Sequence, residues 1–198
     1  MNDKVQIIGI AGSNGSGKDT IGGLLAEKHN FLFVSLTDFL REELKKHQLP
    51  NTREQTRSLS TKWRRQYGLD ILVRKALKVY KDQESLYAGL AMASLRNEGE
   101  ADAIHDLGGL IIWVDADPMV RYRRIQENFR GEERAINDRK TFEEFIEDEQ
   151  AEMELPKNGD ATMLSLSAVK AKSDLFLIND SQDLGELSNK LTKLLNLN

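Results

Sequence analysis

The sequence predicts an α/β fold, a parallel sheet covered on both faces by helices, and two observations carry that prediction. Short apolar runs suited to buried strands recur near residues 5, 31, 86, 110 and 174, each separated from the next by a helical pattern, which is the alternation that builds parallel sheets. The first of these runs, Val5 to Ile10, stops at a glycine-rich stretch, and a helical pattern begins straight after it. At 198 residues, with 39% hydrophobic and 30% charged side chains, the chain fits one globular domain over 1–198 with room for small insertions.

The glycine-rich stretch reads Gly12-Ser13-Asn14-Gly15-Ser16-Gly17-Lys18-Asp19-Thr20. Two glycines five apart with a lysine directly after the second make the spacing of a P-loop. Glycines permit backbone angles closed to other residues, so successive N–H groups converge on phosphate oxygens. The helix that follows adds its unpaired N-terminal N–H groups and the positive end of its dipole, and Lys18 supplies a full charge. A turn serving geometry alone would not require that lysine. Residues Gly12 to Thr20 are therefore expected to bind the phosphates of a nucleotide. The position after the lysine, where a hydroxyl usually reaches Mg²⁺, holds Asp19, and a hydroxyl follows only at Thr20. Asp19 has two readings of equal weight: an oxygen for Mg²⁺ or its waters, and an acid favoured in a first helical turn.

The remaining elements follow in order. Ile21, Leu24, Leu25 and Ala26 fall at helical spacing, so a helix runs to about His29, and Phe31 to Ser35 is a short buried strand. Thr37 is a candidate cap for a helix reaching Lys46. Residues Arg53 to Lys81 are helix-rich, with Gly68 as a break. At about 50–82 this segment exceeds a plain crossover and suits a helical cap over an acceptor. Within it Arg57, Arg64 and Arg65, beside Trp63 and Tyr67, are candidates for a pocket taking a base and a phosphate, against the plainer reading of a solvated basic face. Leu86 to Leu95 is an apolar run suited to a central strand. Glu98 to Asp106 is a helix closed by Gly108 and Gly109, and Leu110 to Asp115 is the clearest strand. Asp117 and Pro118 start the next helix by N-cap and first-turn preference.

That helix carries Arg121, Arg123 and Arg124, and a charged stretch beyond it, about 127–140, adds Arg130, Arg134 and Arg139. Thr141 and Glu144 form a capping box for a helix whose acidic residues read as a solvated face or as partners for the basic stretch. Leu164 to Ala171 is a short helix and Asp174 to Asn179 the last strand. Asp183 to Leu195 closes the chain with leucines along one face.

These motifs resemble those of P-loop nucleotide kinases, in particular nucleoside-monophosphate kinases and dephospho-coenzyme A kinase, along nearly the whole chain. Adenylate kinases place a threonine second after the lysine, and phage-type deoxynucleoside-monophosphate kinases show Gly-Lys-Asp-Thr. Thr37-Asp38-Phe39-Leu40-Arg41 is similar to the Gly-Asp-x-Leu-Arg segment of adenylate kinases. The resemblance implies a three-layer α-β-α fold with strand order 2-3-1-4-5, a lid at about 127–140, and ATP with Mg²⁺ as cofactors. It implies that Lys18 holds the β- and γ-phosphates, that Arg41 and Arg96 clamp an acceptor, and that Arg124 and Arg130 stabilise the charge in transit. Asp38 orients the acceptor, or acts as base if the acceptor is an alcohol. Asp19 and Thr20 are the metal candidates, because Ala93 stands where the family's strand brings a carboxylate. Asn179 and Asp180 border the adenine by position. For Arg96 the plainer alternative is a structural pair with Glu98 or Glu100.

The expected activity is transfer of the ATP γ-phosphoryl group to a small acceptor, first a nucleoside or deoxynucleoside monophosphate. The alternatives are transfer to a hydroxyl, as in dephospho-coenzyme A kinase, and a P-loop module that binds ATP as a regulatory switch. The Asp-x-Asp of the former family is absent, since the chain reads Leu36-Thr37-Asp38. A net charge of −4 argues against nucleic acid as a bulk electrostatic partner. The chain has no cysteine, and His29, His47 and His105 lack a zinc spacing. No apolar stretch reaches the length of a membrane span, so a cytoplasmic location is expected.

Overall fold

The computed structural model describes residues 7–127, 140–155, 158–181 and 183–197. Its centre is a five-stranded sheet of order β2-β3-β1-β4-β5, with β1 Ile7–Gly12, β2 Phe31–Ser35, β3 Gly89–Ala93, β4 Leu110–Asp115 and β5 Leu175–Ile178. All four pairings are parallel. The helices are α1 Lys18–His29, α2 Leu36–Lys46, α3 Arg53–Tyr67, α4 Ile71–Lys81, α5 Glu98–Asp106, α6 Pro118–Glu127, α7 Phe142–Met153, α8 Leu166–Ala171 and α9 Leu184–Leu195.

Strand periodicity sorts the core into two layers. In β3, Leu90 and Met92 face one side while Ala91 and Ala93 face the other; in β4, Ile111 and Trp113 are opposed to Ile112 and Val114. The first set packs under α2, α4, α5 and α8, and the second under α1 and α9. Alanines in β3 allow α1 to lie close to the sheet, and α1 meets β2 in the same way. A Cβ on Gly22 would come within 2.1 Å of the Phe33 ring. The result is the three-layer P-loop kinase fold.

β1 and β4 are neighbours whose onward connections leave toward opposite edges of the sheet, so a crevice opens beyond their carboxyl ends, where open α/β sheets bind ligands.

The structure departs from the sequence-based expectations at several ends. Thr37 lies inside α2, which starts one residue earlier with Ser35 at its N-cap. The run from Leu86 is strand only over Gly89–Ala93. A 3₁₀ turn holds Glu84–Leu86, and Ser94 leaves the strand in the left-handed region at φ 71°. Other caps are side-chain oxygens at helix starts: Thr52 accepts from the Gln55 N–H, and Thr141 with Glu144 forms the expected capping box. Asp117 accepts from Met119 and Val120, and Asp183 from Gly185 and Glu186.

Candidate functional site

The turn from β1 into α1 is built by three glycines with positive φ: Gly12 at 143°, Gly15 at 77° and Gly17 at 95°. A Cβ on Gly12 would lie 1.9 Å from the Val114 carbonyl oxygen, and one on Gly17 2.4 Å from Asn179 Nδ2. The loop is therefore held by its neighbours as well as by its own geometry. Asn179, at the end of β5, donates to the Ser16 carbonyl at 2.8 Å. Arg124 Nη1 and Nη2 donate to the carbonyls of Asn179 and Ser181 at 2.7 and 2.9 Å. Of the two positions named for the adenine border, Asn179 thus braces the loop from behind, while Asp180 accepts from the Asp117 N–H at 2.7 Å.

Lys18 curls back over this loop, and its ammonium donates to the Gly12 and Ser13 carbonyls at 2.9 and 2.6 Å. Burial, and next the charge of Arg96, pull its pKa down from 10.5 to about 7. The negative charge of an incoming phosphate would favour the charged ammonium and offset both influences. The Asn14 Nδ2 and Ser16 Oγ atoms are buried and have no hydrogen-bond partner, an arrangement that costs stability unless a ligand completes it. A cavity of about 320 Å³ runs from the loop, past Lys18, Asp19 and Thr20, to a second wall lined by Arg41, Arg57, Arg64 and Arg96.

That second wall is assembled from distant parts of the chain. Arg64 of α3 is buried and pairs at 2.7 Å with the equally buried Glu100 of α5. The other oxygen of Glu100 accepts the backbone N–H of Arg96 at 2.7 Å, which fixes the turn after β3. The Arg96 side chain pairs with Glu152 of α7, and Arg57 reaches the other Glu152 oxygen at 3.1 Å. The side-chain partner of Arg96 is thus Glu152, and neither Glu98 nor Glu100. Burial pushes the Glu152 carboxyl up, but the charge and hydrogen bond of Arg96, with Arg57 and Arg53, outweigh it and hold the pKa near 2. One turn back on α7, Glu149 takes both terminal nitrogens of Arg121. Arg121 is itself buried and donates from Nε to the Ala116 carbonyl at 2.8 Å and from Nη1 to the Asn14 carbonyl at 3.4 Å. The acidic face of α7, read either as solvated or as a partner for the basic stretch, is in this part an internal face that pairs with arginines.

Several candidates therefore converge on one cavity: Asn14, Gly15, Gly17, Lys18, Asp19, Thr20, Arg41, Arg96 and Arg124 all line it. Asp38 does not. Its carboxylate lies 2.5 Å from Arg41 Nη1 and faces a neighbouring hollow. Trp63 is buried in the core and Tyr67 is half exposed, and neither lines the cavity, so no base pocket forms beside them. Arg65 turns outward to Asp160. Arg130, Arg134 and Arg139, and with them most of the lid segment expected at about 127–140, lie outside the described residues.

Among the described residues no cluster of three or more acids or histidines could hold a metal, and no helix is long and apolar enough to cross a membrane. Ala93, fully buried at the end of β3, offers no carboxylate. One exposed carboxylate, Asp19, and one hydroxyl, Thr20, both at the cavity, suit a Mg²⁺ ion carried mainly by nucleotide phosphates and water.

The chain is similar to a UPF0200 protein of Methanococcus maripaludis, 26% identical over 198 residues and spanning 98% of this chain and 100% of that protein. In structure it is similar to a shikimate kinase from Bacteroides thetaiotaomicron, with a TM-score of 0.61 at 16% identity over 96% of this chain and 98% of that one. A shikimate kinase from Acinetobacter baumannii in complex with shikimate gives a TM-score of 0.54 at 15% identity, covering 98% of this chain and 94% of that one. These likenesses carry the P-loop kinase fold. The AAA domain family model (AAA_18) matches residues 8–153, from β1 through the wall of arginines to the end of α7, and the chain belongs to that family.

Proposed function

We propose that this protein is an ATP-dependent phosphotransferase that moves the γ-phosphoryl group to a small phosphorylated acceptor. The observation that carries the proposal is the single cavity that joins the Lys18 loop to the Arg57 and Arg96 wall. Lys18 and the N–H groups of Gly12 to Thr20 hold the β- and γ-phosphates, with Asp19 and Thr20 toward Mg²⁺, which offsets negative charge on the phosphates when bound. Arg41 and Arg96 fix the acceptor, and Arg124 stands beside the loop. In transfer, an acceptor oxygen forms the new bond to phosphorus as the bridging β–γ oxygen departs with its electron pair, leaving ADP. Positioning and charge stabilisation supply most of the rate, and no protein nucleophile is needed.

A nucleoside or deoxynucleoside monophosphate is the first acceptor class. The lining favours a second reading: among the described residues the cavity holds arginines, threonines, serine and asparagine and no aromatic ring. A stacked base would therefore rest on aliphatic and polar side chains, whereas a small hydroxyl-bearing phosphate ester without a base finds hydrogen-bond partners throughout, which favours transfer to a hydroxyl.

The test is a panel of nucleoside monophosphates, dephospho-coenzyme A and small alcohols with Mg-ATP, scored by ADP release. Acceptor-stimulated turnover that disappears in Lys18→Ala is the expected result. Arg96→Ala is expected to raise the acceptor KM while leaving ATP binding intact. Tight ATP binding with no response to any acceptor would instead support a nucleotide-binding switch.

A further inference from the structure

Phosphoryl transfer to a phosphate has no use for a carboxylate on the acceptor side of the cavity, yet Glu152 stands there. Its side chain is 9% exposed, one oxygen accepting from Arg57 Nη2 at 3.1 Å and the other from Arg96 Nη1. Among the described residues neither guanidinium has a second carboxylate partner. One negative charge therefore serves two positive ones. A cluster with surplus positive charge in a partly desolvated wall is matched better by a dianion than by a carboxylate. A tetrahedral phosphate also offers three oxygens to two planar guanidiniums.

The helix that carries Glu152 is arranged so that this one contact can open. α7 is anchored by Phe145, which packs its ring near Arg121, and by the paired Glu149. Glu152 lies beyond both anchors, in the last turn, and the next residue, Met153, packs partly buried against the core. A negative charge at that end of a helix is disfavoured by the dipole, so the two arginine contacts are what hold the carboxylate in place.

We infer that Glu152 is an internal stand-in for the acceptor's own anionic group: it holds Arg57 and Arg96 together until a phosphate-monoester dianion displaces it. The site thereby admits dianions and rejects monoanionic acceptors such as simple carboxylates. This rests on the reading of the arginine wall as the acceptor side, and it makes Glu152 a specificity-determining residue.

Inorganic phosphate, dianionic at about pH 8, serves as the probe by titration calorimetry, with acetate as the monoanion. The P-loop is filled by a non-hydrolysable ATP analogue, and a Lys18→Ala arm separates binding at the loop from binding at the arginines. Glu152→Gln is expected to bind phosphate about tenfold or more tightly than the wild type, with acetate weak in both. Glu149→Gln, on the same helix, is expected to leave phosphate affinity unchanged. Equal or weaker phosphate binding in a folded Glu152→Gln protein overturns the inference. So does wild-type affinity combined with lost turnover, which would place Glu152 in the reaction itself. In the wild type, hydrogen exchange at the end of α7 is expected to rise on saturation with phosphate; unchanged or slower exchange also overturns it, without recourse to any variant. A protein that shows these phosphate responses but releases no ADP in the acceptor panel would fail as a kinase while keeping the stand-in, so the two ideas fall separately.

Discussion

The two walls of the cavity present positive charge in opposite ways. On the P-loop wall the charge is one ammonium bonded to two peptide carbonyls, held in a pocket of backbone with its pKa brought down to about 7. On the facing wall, Arg57, Arg64 and Arg96 have carboxylates supplied by the same chain. The first wall keeps a buried charge under strain for a ligand from outside. The second has already paid for desolvation by pairing its charges internally. Losing a charge should therefore be harmless to the fold on one wall and damaging on the other.

The largest expected effect tests that asymmetry directly. Arg64→Ala leaves Glu100 buried and uncompensated, and Glu100 also holds the backbone N–H groups of Arg96 and Asn97. A loss of about 3–5 kcal/mol in unfolding free energy is expected, read by urea denaturation. Lys18→Met, by contrast, is expected to keep or raise the stability of the ligand-free protein, because it removes a desolvated ammonium that has, among the described residues, no carboxylate in contact. Equal losses in the two variants would erase the distinction. In activity the ranking inverts: Lys18→Ala is expected to lower acceptor-stimulated turnover about a hundredfold or more, measured by ADP release at saturating ATP.

The two walls should also respond to pH in separate windows, each with stability rising as pH rises. Lys18 has an ordinary pKa of 10.5 and sits near 7 when folded. Between those values the unfolded chain holds a proton that the folded chain does not, so the stability of the ligand-free protein rises with pH across that window. Lys18→Met should flatten the rise. Glu152 shifts in the same direction in a lower window, from 4.5 down to about 2. Its contribution is complete above 4.5 and is lost as pH falls from there toward 2, and Glu152→Gln should remove that loss. Calorimetric Tm profiles of the three proteins from about pH 3 to pH 10 read both limbs at once, and a variant that altered the wrong limb would contradict the assignment.

The same asymmetry explains what was legible in the sequence. Strand alternation, the helix caps and the P-loop depend on residues adjacent in the chain, and the structure shows them close to where the pattern puts them. The acceptor wall depends on pairs far apart in sequence: Arg96 and Glu152 are separated by 56 residues and Arg57 and Glu152 by 95. No local period reports such pairing, and a run of acids reads as solvated. One signal was available. Phe145, Glu149 and Glu152 recur at i, i+4 and i+7, the spacing of a buried helical stripe, so two carboxylates stood at core positions beside an aromatic. Arg121 was visible only as one arginine among several, since nothing local separates it from Arg123 and Arg124.

The smallest expected effect probes a non-local part of the P-loop wall. Asn179 comes from the far edge of the sheet, 163 residues from Ser16, and its Nδ2 donates to the Ser16 carbonyl at 2.8 Å. That bond directs the peptide before Gly17, whose N–H is among those expected to face phosphate. Asn179→Ala removes one hydrogen bond to a backbone carbonyl, a change of about 1 kcal/mol. ATP affinity should therefore fall by roughly fivefold, with phosphate binding at the Arg57 and Arg96 wall unchanged, since no bond of Asn179 reaches that wall. Calorimetric titration with the ATP analogue and then with phosphate separates the two. A loss confined to phosphate would mean that Asn179 acts across the cavity, and that the two walls are coupled through β5 and do not bind independently.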